Sequence, residues 1–255
     1  MLALLFVLCC ALAGASSPNG ADAAASRKHV RIPISANSVA AGAVDVTSQL
    51  GADGEAAGTG IVIDPSGQVL TNNHVIEGAT QTEVTVPGVG TYPAQVIGSD
   101  SSEDVALLQV AGAPRLVAAT IGDSSQAEVG DPVKAVGNAN GSGGAPEVTS
   151  GHITDLSASI TTVDDTGTGT EHLDGMLQTS ARIVPGESGG PLVDRAGEVI
   201  GMDTAADVPE GRHSTPASYA IPINRAMSVI KGFFGGGAPG GSGIRLWPMP
   251  APAAG

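Results

Sequence analysis

Short runs of β-branched and aliphatic residues, cut at close intervals by Gly, Pro, Asp and Ser, recur through most of this chain and limit what it can fold into. Gly60-Ile61-Val62-Ile63, Gln68-Val69-Leu70, Thr82-Glu83-Val84-Thr85-Val86, Ala94-Gln95-Val96-Ile97, Asp131-Pro132-Val133-Lys134-Ala135-Val136 and Glu198-Val199-Ile200 are examples. Each run is too short for an amphipathic helix and is bounded by turn residues such as Asp64-Pro65-Ser66-Gly67, the pattern of an all-β barrel. Aromatic residues make up only 2 % of the chain, so Val, Ile, Leu and Ala must fill the core. Both cysteines, Cys9 and Cys10, sit in the N-terminal apolar run, so the remainder holds together without disulfides. One helix is predicted, over 224–234, with Asn224 as N-cap and the glycines from 235 as its stop. At 255 residues the chain fits one two-lobed domain or two small ones.

Within that frame one loop stands out, Pro185-Gly186-Glu187-Ser188-Gly189-Gly190-Pro191-Leu192. A serine between glycines lets the backbone turn sharply and leaves the hydroxyl clear of a sheet. The N–H groups of Gly186 and Ser188 would lie on one side of such a turn and stabilise an oxyanion. A loop that merely turns is the plain alternative. A serine hydroxyl is a weak nucleophile unless a base takes its proton and a third group orients the base. His74 follows the second strand of a predicted hairpin, in Leu70-Thr71-Asn72-Asn73-His74-Val75-Ile76, and Asp104 opens the apolar strand Val105-Ala106-Leu107-Leu108-Gln109-Val110. Singly, each suits a structural or surface role. Together with Ser188 they give the chain order His, Asp, Ser, one of the known orders for a catalytic triad.

These stretches, with Gly58-Thr59-Gly60, Leu177-Gln178-Thr179, Gly201-Met202-Asp203-Thr204-Ala205 and Tyr219-Ala220-Ile221-Pro222-Ile223-Asn224, make the chain resemble trypsin-like serine proteases of the bacterial HtrA (Deg) type, in particular the small secreted PepA-like members. The resemblance covers about residues 41–235. It implies a chymotrypsin/trypsin-like double β-barrel with a short C-terminal helix: an N-barrel over about 41–128, a C-barrel over about 129–222, and the active site in the cleft between them. It implies His74 as general base, Asp104 as its orienting carboxylate and Ser188 as nucleophile. The N–H groups of Gly186 and Ser188 would form the oxyanion hole. Substrates would be unfolded or extended polypeptides, laid as a strand beside Asp203, Thr204 and Ala205, with no cofactor. A homo-oligomer, a trimer, is implied by the resemblance alone.

Departures from the family pattern bear on what is cut. Relatives usually read Thr-Asp-Ala-Ala-Ile-Asn where this chain has Thr179-Ser180-Ala181-Arg182-Ile183-Val184. Arg182 stands six residues before the serine, at the base of the S1 pocket in trypsin-like folds, with Ile183 and Val184 beside it. Its guanidinium could fill the pocket, pair an acidic P1 side chain or swing outward. Glu187 replaces an Asp or Asn, and its extra methylene could tilt the peptide that carries the Gly186 N–H. Loss of one such donor costs ~10²–10³ in kcat. Most of the family continue into a PDZ domain, whereas residues 236–255 here are Gly- and Pro-rich and are expected to be a disordered tail.

The N-terminal run Leu2-Ala3-Leu4-Leu5-Phe6-Val7-Leu8-Cys9-Cys10-Ala11-Leu12-Ala13 reads as a signal peptide or short anchor within residues 1–25, followed by a linker over 26–40. The expected location is therefore secreted or at the bacterial cell envelope. A formal charge of −14 argues against nucleic acid or anionic lipid as a partner. No residues stand at metal-ligand spacing. The cluster Asp164, Asp165, Glu171 and Asp174 suits an acidic surface loop better than a calcium site. His29, His152, His172 and His213 receive no role. The intact His74, Asp104 and Ser188 point to a serine endopeptidase acting through an acyl-enzyme. Arg182 and Glu187 leave open a protease-fold domain that binds unfolded protein as a chaperone or scaffold without useful turnover.

Overall fold

The structure, a computed structural model, describes residues 42–51, 54–138, 144–163, 170–206, 217–234 and 244–246. The expected signal segment, the linker over 26–40, His29, His213 and the acids Asp164 and Asp165 lie outside those residues. The first sheet uses β1 (Ala43–Gln49), β2 (Glu55–Asp64), β3 (Gln68–Thr71), β4 (Gln81–Val86), β5 (Gly90–Asp100) and β6 (Val105–Val110), with a short helix α1 (Asn73–Ile76) after β3. All its pairings are antiparallel and run β4–β1–β2–β3–β6–β5. The pairing of β5 with β4 brings the sheet back on itself. The second sheet, from β7 (Pro132–Gly137), β8 (Glu147–Val163), β9 (Thr170–Thr179), β10 (Pro191–Val193), β11 (Val199–Ala206) and β12 (Ser218–Pro222), is a closed barrel. The fold is therefore the trypsin-like double barrel.

Strand alternation explains how so few aromatic residues suffice. Along β6, Val105 and Leu107 join a core shared with the second barrel and the C-terminal helix, while Ala106, Leu108 and Val110 join a separate core with Val44, Val46, Val69 and Val84. Both faces of the strand are buried, so period-two patterning appears here as a continuous apolar run. Val133, Ala135, Ile153, Leu177, Leu192 and Ile200 form a third cluster in the second barrel. Aliphatic side chains alone make up this cluster.

The C-terminal helix α2 (Ile223–Phe234) starts one residue earlier than expected. Asn224 lies inside it and does not serve as its N-cap: its side chain donates to Asp123 Oδ1 at 2.6 Å and accepts the Ser124 N–H at 3.4 Å. The tertiary partners outcompete a local cap. Ile223, Ala226, Ile230 and Phe233 are the buried face of α2, and Phe233 lies against Gly98 of β5, where a Cβ would come within 2.7 Å of the ring. Arg225 donates to Glu103 beside the first barrel and to the Asp174 carbonyl of β9 in the second. A further strand, β13 (Ile244–Leu246), pairs antiparallel with Gly98, Ser99 and Asp100 of β5. These three residues lie within the segment read from the sequence as a Gly- and Pro-rich tail. The reason they pair is the length of β5: its pairing with β4 ends at Ala94, so the far end exposes an unpaired edge.

Candidate active site

His74 sits in α1 directly after β3, where Asn72 turns the chain out of the sheet. Asp104 ends the turn before β6 with φ of +50°, a left-handed conformation that Asp tolerates better than most residues. That turn brings the carboxylate to the histidine from two directions. His74 Nδ1 lies 3.1 Å from Asp104 Oδ1 and 3.0 Å from Oδ2, and the His74 backbone N–H donates to Oδ1 at 3.1 Å. Asp104 is almost fully buried, whereas the His74 side chain is 43 % exposed. One ring edge is thus fixed by the carboxylate while the imidazole remains reachable from solvent.

Ser188 comes from the opposite barrel. Its Oγ donates to the Thr204 carbonyl at 3.2 Å, and the Thr204 hydroxyl donates to Asp104 Oδ2 at 2.5 Å. Thr204, in β11, therefore joins the serine to the His74–Asp104 pair through its two ends. Asn72 braces the same point, its Nδ2 donating to the Asp104 carbonyl and to Thr204 Oγ1, both at 3.0 Å. The structure thus brings His74 and Asp104 into contact and links Ser188 to that pair through Thr204.

The serine turn is held from both sides. Thr59 of β2 donates its N–H to the Ser188 carbonyl and its hydroxyl to the Gly186 carbonyl, each at 2.8 Å. On the other side, the Gly189 N–H donates to the Asp203 carbonyl at 2.6 Å and the Asp203 N–H to the Gly190 carbonyl at 2.8 Å. Gly189 has φ of +86°, and a Cβ there would lie 2.1 Å from Thr59 O. Only glycine meets both conditions. Among the described residues, neither the Gly186 N–H nor the Ser188 N–H is donated to a protein acceptor.

Glu187 is folded back into the protein. It is 1 % exposed, and its Oε2 accepts the Val184 N–H at 2.7 Å. Together with the Glu187 N–H to Val184 carbonyl bond at 3.0 Å, this closes the turn that carries Gly186. Burial raises its carboxyl above the usual range, with Glu147 adding to the effect; the Val184 N–H and Arg182 oppose it. Asp203 is fully buried, and neither carboxyl oxygen has a hydrogen-bond partner among the described residues. Burial, and then the charge of Glu187, push it well above the ordinary carboxylate range.

The other expected pocket residues spread out. Arg182 is exposed, with Thr149 Oγ1 donating to its carbonyl at 2.7 Å. Ile183 is buried in the second-barrel core, its N–H donating to Ser218 Oγ at 3.1 Å, and Val184 is half-buried. Ala205 follows Thr204 in β11. Thr59 and Asn72 were not singled out by sequence. Their only signal was position, beside the glycines of β2 and two residues before His74.

His152 is exposed, and His172 pairs with Asp174 on the surface. Among the described residues no group of acids, histidines and cysteines could hold a metal ion, and no helix is long and apolar enough to cross a membrane.

Residues 58–202, more than half of the chain, match the family model of the trypsin-like peptidase domain. The chain is 41 % identical over 175 residues to a probable serine protease do-like from Buchnera aphidicola, a match covering 68 % of this chain and 34 % of that protein. It is 38 % identical over 175 residues to the periplasmic serine endoprotease DegP of Escherichia coli, covering 68 % and 35 % respectively. The chain thus spans about a third of the length of these relatives. Among solved structures, an HtrA-type protease, AlgW with a tripeptide, superposes with a TM-score of 0.65 at 31 % identity, over 80 % of this chain and 64 % of that one.

Proposed function

Because the chain belongs to the trypsin-like peptidase family and is of the HtrA type, we propose that it is a serine endopeptidase that cleaves extended polypeptide. The observation that carries this is the contact of His74 Nδ1 with both oxygens of the buried Asp104, with Thr204 joining that carboxylate to Ser188. Ser188 Oγ gives its proton to the His74 imidazole and attacks the scissile carbonyl carbon. Asp104 holds the ring in one tautomer and stabilises the imidazolium. The carbonyl oxygen, now an anion, accepts the free N–H groups of Gly186 and Ser188. As the tetrahedral intermediate collapses, the C–N bond breaks and the imidazolium protonates the departing amine. Water, deprotonated by His74, then attacks the acyl ester and regenerates Ser188. The substrate backbone adds as a strand beside β11 at Asp203–Ala205.

Arg182 faces solvent, which favours a pocket that this guanidinium does not fill. Extracytoplasmic action is the matching location, since relatives such as DegP are named periplasmic. A fluorophosphonate probe tests the reading: it should label the wild-type protein on Ser188 and leave Ser188→Ala unlabelled. A wild-type protein that takes no label would leave only a peptide-binding role.

A further inference from the structure

Two carboxyls that the cleavage chemistry does not use are buried against the serine turn. Glu187 lies within the turn, its stem packed on Gly137 of β7, and Oε2 accepts the Val184 N–H while Oε1 has no partner among the described residues. Asp203 lies behind the turn in β11, with both carboxyl oxygens unpartnered but its backbone bonded to Gly189 and Gly190. Resting on the protease reading, we infer that Glu187 and Asp203 are positioning residues for the serine turn. They ionise one at a time, and ionisation of the second displaces the turn and gives cleavage a descending alkaline limb.

The charged groups around the pair set the order. Glu147 at the start of β8 disfavours charge on Glu187, while Arg182 and the Val184 N–H favour it. Thr59 of β2, bonded to the Gly186 carbonyl, and Gly137 of β7, packed on the Glu187 stem, carry no charge. His74 and Asp104 lie on the far side of Thr204. Glu187, which has a donor, ionises first. Asp203 has none, and it must lose its proton inside the protein beside an existing negative charge. Once ionised it draws in water or moves toward it. Gly189 and Gly190 are bonded to its backbone, so the segment next to Ser188 moves with it.

The test is the pH profile of kcat for peptide cleavage by the full chain. The wild-type rate should fall by about tenfold per pH unit above the second ionisation. Asp203→Asn should abolish that limb. Glu187→Gln keeps an acceptor for Val184 but removes the charge that opposes Asp203, so the limb should move to lower pH. Glu187→Ala should lower kcat by about 10²–10³ at every pH with KM little changed, and Glu187→Gln should recover most of that loss. A limb unmoved in both Asp203→Asn and Glu187→Gln overturns the inference.

A second measurement is independent of turnover. The infrared C=O stretch of a neutral carboxyl should be present in the wild type at neutral pH and should lose intensity in Asp203→Asn; an unchanged band in Asp203→Asn, or its absence from the wild type, also overturns the inference. Fluorophosphonate labelling keeps the two ideas apart. A chain that is labelled and cleaves with an unmoved limb loses only this inference, and an unlabelled chain loses the protease reading.

Discussion

Replacing Thr204 with valine removes one hydroxyl and almost no volume, so it isolates the bond that joins the two halves of the site. In the native protein the Thr204 hydroxyl donates to Asp104 Oδ2 at 2.5 Å, and its own oxygen accepts from Asn72 Nδ2 at 3.0 Å. All three residues are buried. Valine leaves Oδ2 with His74 alone and one Asn72 amide hydrogen without its acceptor. A hydrogen bond to a charged group contributes ~1.5–3 kcal/mol, and an orphaned buried donor costs a further ~1 kcal/mol. Thr204→Val should therefore lower stability by roughly 2–4 kcal/mol in urea denaturation. Thr204→Ser, which restores the hydroxyl, should lie within ~1 kcal/mol of the wild type. Cleavage should fall with the bond, because Asp104 loses the anchor that fixes its carboxylate against His74, while the Ser188 contact to the Thr204 carbonyl stays. A valine variant within ~0.5 kcal/mol of wild type, or a serine variant as unstable as valine, would refute the reasoning.

Ser188→Ala and His74→Ala should each lower kcat by roughly 10⁴–10⁶, and an unchanged peptide-cleavage rate in either would mean that the assigned roles are wrong. Asp203 makes stability depend on pH with an unusual sign. Unfolded, it loses its proton near 3.8; folded, it keeps it to much higher pH, so above 3.8 the folded chain binds one more proton. Stability then falls as pH rises, by about 1.4 kcal/mol per unit, until Asp203 ionises in the fold. Glu187 acts in the same direction. Denaturation midpoints at several pH values should show a slope shallower by about one proton in Asp203→Asn, and equal slopes would reject a buried neutral acid. Gly189→Ala places a Cβ 2.1 Å from the Thr59 carbonyl at a positive φ and should cost more than ~3 kcal/mol, read by calorimetry; a stable, active variant would show that the turn relaxes freely.

Much of the architecture was legible because it is local. Val105–Val110 reads as a strand from its apolar run alone, and Asp64-Pro65-Ser66-Gly67 reads as a turn, with the Gly67 N–H bonded back to the Asp64 carbonyl. The helix end at Phe234 follows from the glycines after it. Its start was misplaced because the expected cap, Asn224, bonds to Asp123 and Ser124, a hundred residues earlier. The strand at Ile244–Leu246 was missed for a similar reason: a Gly/Pro-rich segment carries no strand signal, and only the free edge of β5 supplies its partner.

The local chemistry of the site was also written in the chain: a serine between glycines, a histidine after a hairpin, an acid at a strand mouth. Their joining was not. Thr204 reaches Asp104 across a hundred residues, and Thr59 reaches Gly186 across 127. The partner of the longer Glu187 side chain, the Val184 N–H across the turn, was likewise not written in the sequence. Asp203 reads in the sequence as a residue beside the substrate strand, and its burial without a hydrogen-bond partner comes only with the closed barrel. Residue type and period fix which elements form, since each depends on near neighbours. The burial of a carboxyl and the partner that a hydroxyl finds depend on which distant strands meet, and only the packed barrels decide that.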